Sequence, residues 1–386
     1  MTPTDPKQVA RERIERAHEA LIGLSHRIHA NPELGYQEKL ASGWLAEWLE
    51  GEGFEVEGGA AGLETAFVGG FGPGPLNIAL IAEYDALPEI GHACGHNIIS
   101  ATAVGAALAL AGVADGLGLR VTVIGTPAEE GGAGKVELLN AGIFDAVHCA
   151  LMIHPGPGDV IEPEVLAAQS LEITYSGRTS HAGAAPERGI NAADGLVIAQ
   201  VAIGLLRQSL LPTDRVHGIV TVGGEAMNVI PARAEAIWMI RASTVARLDE
   251  LREKVRRCFE AGALASGASL EISERTIYAD MRHDPDLVRL YAANAQALGR
   301  TFGGPGEFNR FSTDQGNVSY AVPAIHPILG IDSGGAVNHQ PEFAAATVTP
   351  AADSAIFDGA VALAWTAIDA ATDEALRSRL LERRPV

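Results

Sequence analysis

Residues 76–84, LNIALIAEY, form a nearly unbroken apolar run. Such a run fits a strand buried on both faces, as in a parallel sheet covered by helices. Two further runs of the same kind follow, LRVTVIGT (119–126) and AVHCALMIH (146–154). An Ala-rich helix is expected between the first two, over about 98–114, and another over about 134–142. Strand, helix, strand, helix, strand predicts an α/β fold with a mostly parallel sheet and helices on its faces. Amphipathic helices over 8–30 and 37–52 precede it.

The pattern changes after about residue 167. LEITYSG reads as a strand, 191–210 as a helix, and GIVTVGG and EAIWMIRAS as two closely spaced strands. A helix over 245–264 and the strand ASLEISERTIY complete the order β-α-β-β-α-β. That is the ferredoxin-like split unit. It predicts a small domain, 168–280, inserted into a larger one made of 1–167 and 281–386. The larger domain resumes with a helix over 284–298, a strand near 322–330 and a long helix over 350–383. A chain of 386 residues suits two domains.

Lys and Arg number 28 against 48 Asp and Glu, a formal net charge of -20. A surface this acidic argues against nucleic acid or an anionic membrane as partner. The N-terminus is polar, and the longest apolar stretch, Ala101–Ala114, falls short of the ~20 residues that cross a bilayer. Cys94, Cys149 and Cys258 are too widely spaced for a disulfide framework. The expectation is a cytoplasmic protein acting on a small molecule.

Metal-type side chains recur after successive strands. GHACGHN (91–97) follows the first run, Glu129 and Glu130 follow the second, and His154 ends the third. Open parallel sheets build sites at the carboxyl ends of their strands. Cys94, His96, Glu130 and His154 are therefore expected to meet, with His339 of AVNHQPEF as a fifth candidate. A thiolate, imidazoles and a carboxylate suit a zinc-class divalent ion. The adjacent Glu129 and Glu130 can divide the work, one on the metal and one as general base. Gly95 lets the backbone turn so that Cys94 and His96 face one ion.

HANPELGYQE (29–38), EYDALP (83–88), GHACGHN, GTPAEEGGAGK (125–135), SHAGAAPERGINA (180–192), NVIP (228–231) and STDQGNVSY (312–320) occur in that order. Together they resemble the aminoacylase, carnosinase and carboxypeptidase-G metallopeptidases, a family that includes the auxin-conjugate and hippurate amidohydrolases. The resemblance implies two divalent ions, zinc first and manganese or cobalt as substitutes, held by Cys94, His96, Glu130, His154 and His339. It implies Glu129 as general base and Asp85 as the carboxylate that orients a ligand. It implies that the inserted domain is a lid, that His181 stabilises the oxyanion, and that Asn228 and Arg241 hold the substrate carboxylate. It also implies a homodimer through the lid, in which the equivalent of His181 can come from the partner. Asn97 departs from the HACGHD of the auxin-conjugate branch. GHACGHN beside EYDALP is similar to the subgroup of aminobenzoyl-glutamate and β-alanyl-dipeptide hydrolases. The expected activity is hydrolysis of the amide bond in a small N-acyl amino acid, aminoacyl-glutamate or dipeptide. A deacylase of an N-acetyl or N-succinyl intermediate is the alternative. A catalytically silent metal-binding scaffold is a third reading, and it predicts loss of a ligand or the base, yet all are present.

Overall fold

A computed structural model describes residues 5–303 and 310–383 of the chain. Two compact units emerge, one of 1–164 and 281–386 and one of Val165–Asp280.

The larger unit opens with α1 (Pro6–His29). Asp5 caps it by accepting from the Lys7 amide, and Pro6 starts the first turn. Ala10, Ile14, Leu21, Leu24 and Ile28 form its buried stripe. Then come α2 (Lys39–Gly51), β1 (Glu55–Gly58), β2 (Phe67–Phe71), β3 (Leu76–Glu83) and α3 (His96–Ala111). Next are β4 (Leu119–Thr126), α4 (Gly134–Asn140), β5 (Cys149–Leu151) and β6 (His154–Gly156). All of β3 is buried, and so is α3 from His96 to Leu110, which makes them the centre of the core.

The smaller unit runs β7 (Ala167–Ser176), α5 (Ala192–Leu206), β8 (Arg215–Val222), β9 (Arg233–Ala242), α6 (Val245–Ser266) and β10 (Ser269–Glu274). Its antiparallel sheet has the order β10-β7-β9-β8. Trp238, Ile240, Leu171 and Ile173 from the sheet share a core with Leu196, Leu251 and Phe259 from its helices.

The larger unit resumes with α7 (Pro285–Ala297), α8 (Gln315–Ala321), β11 (Ala324–Ile325), β12 (Ile328–Gly330), α9 (Pro341–Ala346), α10 (Pro350–Thr372) and α11 (Glu374–Leu381). The central sheet has the order β1-β2-β4-β3-β5-β11. β4, β3, β5 and β11 are parallel, whereas β2 runs antiparallel to β4. The sheet is therefore mixed at one edge. α10 is long and apolar enough to cross a membrane by length and composition, but most of it is buried against α1 and α3.

Three expectations need correction. The run 146–154 is not one strand. It breaks at Met152-Ile153, so His154 begins β6 instead of ending β5. The run 322–330 breaks in the same way at His326-Pro327, and β6 pairs with β12 in a separate ribbon. The C-terminal helix is two, because Asp373 leaves helical geometry and its side chain caps α11 by accepting from the Ala375 and Leu376 amides.

Candidate metal centre

The site lies in the larger unit, at the carboxyl ends of β3, β4 and β5. Its first component is the turn before α3. Gly95 has φ 76°, and a Cβ there would stand 2.9 Å from Pro155 Cγ, so both conformation and space demand glycine. That turn places Cys94 and His96 together. The His96 Nδ1 donates to the Asp85 backbone oxygen (2.8 Å) and lies 3.1 Å from its Oδ1. Nε2 is then the nitrogen left for a metal, and it has no hydrogen-bond partner among the described residues although it is buried.

Asp85 also accepts from the Glu130 amide at Oδ2 (2.9 Å), so one carboxylate fixes two ligand-bearing segments. The loop carrying Glu129 and Glu130 is strained, with Ala128 and Ala133 both at φ 57°. PELGYQE braces it. Glu38 accepts from the Ala128 amide (2.8 Å) and the Thr65 hydroxyl (2.8 Å), and the Tyr36 hydroxyl donates to Gly132 O (2.6 Å). Gly35 lies so close that a Cβ would meet Ala128 Cβ at 2.9 Å.

His154 donates from Nδ1 to Pro155 O (2.8 Å), which turns its other nitrogen outward. Its ring stands 5.8 Å from that of His96. His339, at φ 69°, is tied back by its amide to Ala93 O (3.0 Å), and its Nε2 lies 3.7 Å from Glu130 Oε2.

All five candidate ligands thus converge. Cys94, His96 and His154 offer atoms within 4.8 Å of one another, and so do Cys94, Glu130 and His339. Cys94 belongs to both groups. The donors fit a divalent metal. Glu130 Oε1 and His96 Nε2 are buried without hydrogen-bond partners among the described residues, which is costly unless a cation joins them. The electrostatics agree. Burial disfavours a charged His96, yet Asp85, Glu83 and Glu130 outweigh it and raise the pKa to about 10, marking a place built for positive charge. Burial, then His96, depresses His154 to about 3, which keeps it a neutral donor. Burial and the nearby Glu130, Glu129 and Asp85 push the Cys94 thiol up when no cation is bound.

Glu129 lies beside this cluster. Burial and the charges of Glu83, Glu130 and Asp314 push its carboxyl well above the usual carboxylate range. Asn97 points elsewhere. Its amide donates to Ser25 Oγ (2.9 Å) and Thr347 O (3.2 Å), so it locks α3 to its neighbours.

Several residues escaped sequence reasoning. Glu83, Lys135 and Asp314 form a fully buried group in which the Lys135 ammonium touches Glu83 and lies 2.7 Å from Asp314 Oδ1. His326 is wholly buried, 5.6 Å from the His154 ring and 5.7 Å from that of Phe311. Glu83 is the last residue of the β3 apolar run, and that position at the carboxyl end of the strand could have pointed to it. Nothing local points to Lys135 or His326.

In the smaller unit, His181 and Asn228 are neighbours. The Ala182 amide donates to Asn228 O (3.0 Å) and the Ile230 amide to Ser180 O (2.9 Å). The Gly183 and Ala184 amides both donate to His181 Nδ1 (3.2 and 3.1 Å). Nδ1 therefore holds the lone pair and Nε2 the proton, ready to donate. Arg241 is not with them. Asn228 precedes the start of β9 at Arg233, whereas Arg241 lies near its far end, opposite Ala168 and Arg215. Eight steps along the strand lead from Arg233 to Arg241, about 26 Å.

Comparison with known proteins identifies the family. Residues 79–355 match the model of peptidase family M20/M25/M40. The Xaa-Arg dipeptidase of Mus musculus is 38% identical over 94% of this chain and 88% of its own length. A p-aminobenzoyl-glutamate hydrolase chain of Escherichia coli is 30% identical, over 67% of this chain and 58% of its own. Among solved structures, a Bacillus subtilis protein described as a dinuclear metal binding peptidase of the M20 family superposes with TM-score 0.72. It is 23% identical, covering 92% of this chain and 98% of that one. The aminobenzoyl-glutamate utilization protein of Klebsiella pneumoniae gives TM-score 0.73 at 20% identity, covering 93% and 97%. These two show the fold. The chain belongs to peptidase family M20/M25/M40 and is a metal-dependent hydrolase of amide or peptide bonds.

Proposed function

We propose that this protein is a two-metal dipeptidase that releases a C-terminal amino acid with a cationic side chain, arginine first. The observation that carries the substrate class is the likeness to the Mus musculus Xaa-Arg dipeptidase over nearly the whole chain. The net charge of -20 supports it, since an acidic surface draws in cationic substrates. The test is hydrolysis of an Xaa-Arg dipeptide against aminobenzoyl-glutamate and N-acetyl amino acids, each with and without chelator. The dipeptide is expected to be cleaved fastest, with activity lost to chelator and restored by zinc or manganese. Faster cleavage of aminobenzoyl-glutamate moves the specificity toward an anionic leaving residue.

In this reading Cys94, His96, His154, Glu130 and His339 would hold two ions, and the ions would supply a water acidified to a pKa of about 7. Cys94 is common to both ligand groups, so its loss would touch both ions. Cys94→Ser is expected to weaken metal binding by at least about tenfold, measured by competition with a chromogenic chelator. Glu129 takes the water's proton and passes it to the leaving amine. His181 donates from Nε2 to the oxyanion.

Arg241 reads the substrate carboxylate through its planar fork, with Asn228 assigned to the same end. Arg241→Ala is expected to cost about 2–4 kcal/mol, or roughly 30- to 1,000-fold in kcat/KM. The comparison to make is a dipeptide acid against its amide. If wild type cleaves both equally, no group reads the carboxylate.

The separation within the smaller unit supports a homodimer. An extended dipeptide spans only about 7 Å, so one substrate cannot touch Arg241 and the His181–Asn228 pair of the same chain. The smaller unit would then act as a lid that lends His181 and Asn228 to a second copy. It carries a surface for this. Val197, Val201 and Leu205 project from α5 at 57%, 60% and 73% exposure, one stripe at helical spacing, and the edge strand β8 exposes Ile219 and Val220.

A further inference from the structure

Beside the two-metal centre lies a third group of potential ligands. Glu83, His96 and Glu129 offer atoms within 4.8 Å of one another, and all three residues are buried. Glu83 Oε2 is 3.5 Å from His96 Nε2, the nitrogen directed at the metal. Asp314, also fully buried, adds a carboxylate on the other side of Lys135. An ion taken up here would engage Glu129, and a base bound to a metal cannot accept a proton.

Lys135 occupies this place. It is fully buried and touches Glu83 Oε1 with its ammonium. Asp314 grips it twice, accepting from Nζ at Oδ1 (2.7 Å) and from its backbone amide at Oδ2 (2.9 Å). Burial disfavours the charge, but Asp314, Glu83 and Glu129 outweigh it and raise the pKa, so Lys135 is a permanent cation. An ammonium differs from a divalent ion in one decisive respect. It offers hydrogen bonds but no coordination sites, so it neutralises carboxylates without taking them as ligands.

We propose that Lys135 is a positioning residue that acts as the built-in cation of a third acidic site, holding Glu83 in place and denying that site, and with it Glu129, to a third metal ion. The proposal rests on the two-metal reading above. It assigns to GTPAEEGGAGK a division of labour along one loop and the first turn of α4 that follows it. Glu130 goes to the metals, Glu129 to the proton, and Lys135 keeps the two roles apart.

The test is metal stoichiometry of the purified holoprotein, by elemental analysis after equilibration with excess zinc or manganese. Wild type is expected to hold about two equivalents per chain, and Lys135→Ala, which opens the space and exposes three carboxylates, about three. Inhibition by added metal is the second readout. The concentration that halves activity is expected to fall at least about tenfold in Lys135→Ala. Lys135→Ala/Glu83→Gln is expected to return to wild-type stoichiometry. Lys135→Met, which keeps the stem volume, is the variant to read if the alanine protein does not fold.

Unchanged stoichiometry and unchanged tolerance of metal in a folded Lys135 variant would overturn the proposal. So would a third ion that persists in the double variant, because Glu83 is then not its ligand. If no Lys135 variant folds even with metal present, the residue is structural and the proposal fails. Fewer than about one equivalent in wild type would instead overturn the two-metal reading.

Discussion

Glu129→Gln is expected to lower kcat by roughly 100- to 10,000-fold while leaving both metals bound. The amide keeps the shape of the carboxylate but cannot accept a proton from water. Burial, and then the charges of Glu83, Glu130 and Asp314, raise the affinity of Glu129 for a proton. Glu130→Gln is expected to behave differently. Glu130 shares one ligand group with Cys94 and His339, so its loss removes metal first and activity as a consequence. Elemental analysis beside turnover separates the two. High metal content with low turnover in Glu130→Gln, and the reverse in Glu129→Gln, would mean that the roles are exchanged.

Four of the five ligand candidates, Cys94, His96, Glu130 and His154, were legible because chemistry followed the strands, whereas His339 came from the returning segment. Apolar runs located β3, β4 and β5, and the residues just past their ends had to share one edge of the sheet. Lys135 was not legible, since a lysine in the first turn of a short helix, just after a glycine-rich loop, reads as a solvated charge. Its burial depends on Asp314, 179 residues away, and no local period carries that information. β2 was hidden by composition. FVGGF has two glycines, which weaken any strand pattern; Gly69 is packed against α2, and Gly70 against the Arg120 guanidinium. A Cβ at Gly69 would stand 3.1 Å from Leu49 Cδ1. The break at Met152-Ile153 was hidden because hydropathy runs straight through it, and the one at His326-Pro327 because apolar residues flank it closely on both sides. Those breaks let His154 and His326 leave the sheet together, and a buried neutral His326 then backs the His154 ring.

Mixing two inactive proteins is expected to restore activity. Glu129→Gln lacks the base but keeps His181, whereas His181→Ala lacks the oxyanion donor but keeps the base. If each site takes His181 from the other copy, a mixed dimer has one site with Glu129 and His181 both intact and one with neither. Random exchange makes half of the dimers mixed, and half of their sites whole, so the mixture should reach roughly one quarter of wild-type activity. The reason to expect this lies within the smaller unit. His181 is fixed beside Asn228 by the Ala182 and Ile230 hydrogen bonds, and Arg241 stands near the far end of β9. A small substrate that engages Arg241 needs its oxyanion donor from elsewhere. The experiment requires exchange of protomers, checked by mixing tagged and untagged wild type and recovering both on one affinity column. Activity that stays at the sum of the two parents despite proven exchange would place His181 and Glu129 of one site on the same chain. Arg241 would then have to give up the carboxylate to Asn228, and Arg241→Ala would retain its preference for the dipeptide acid over the amide.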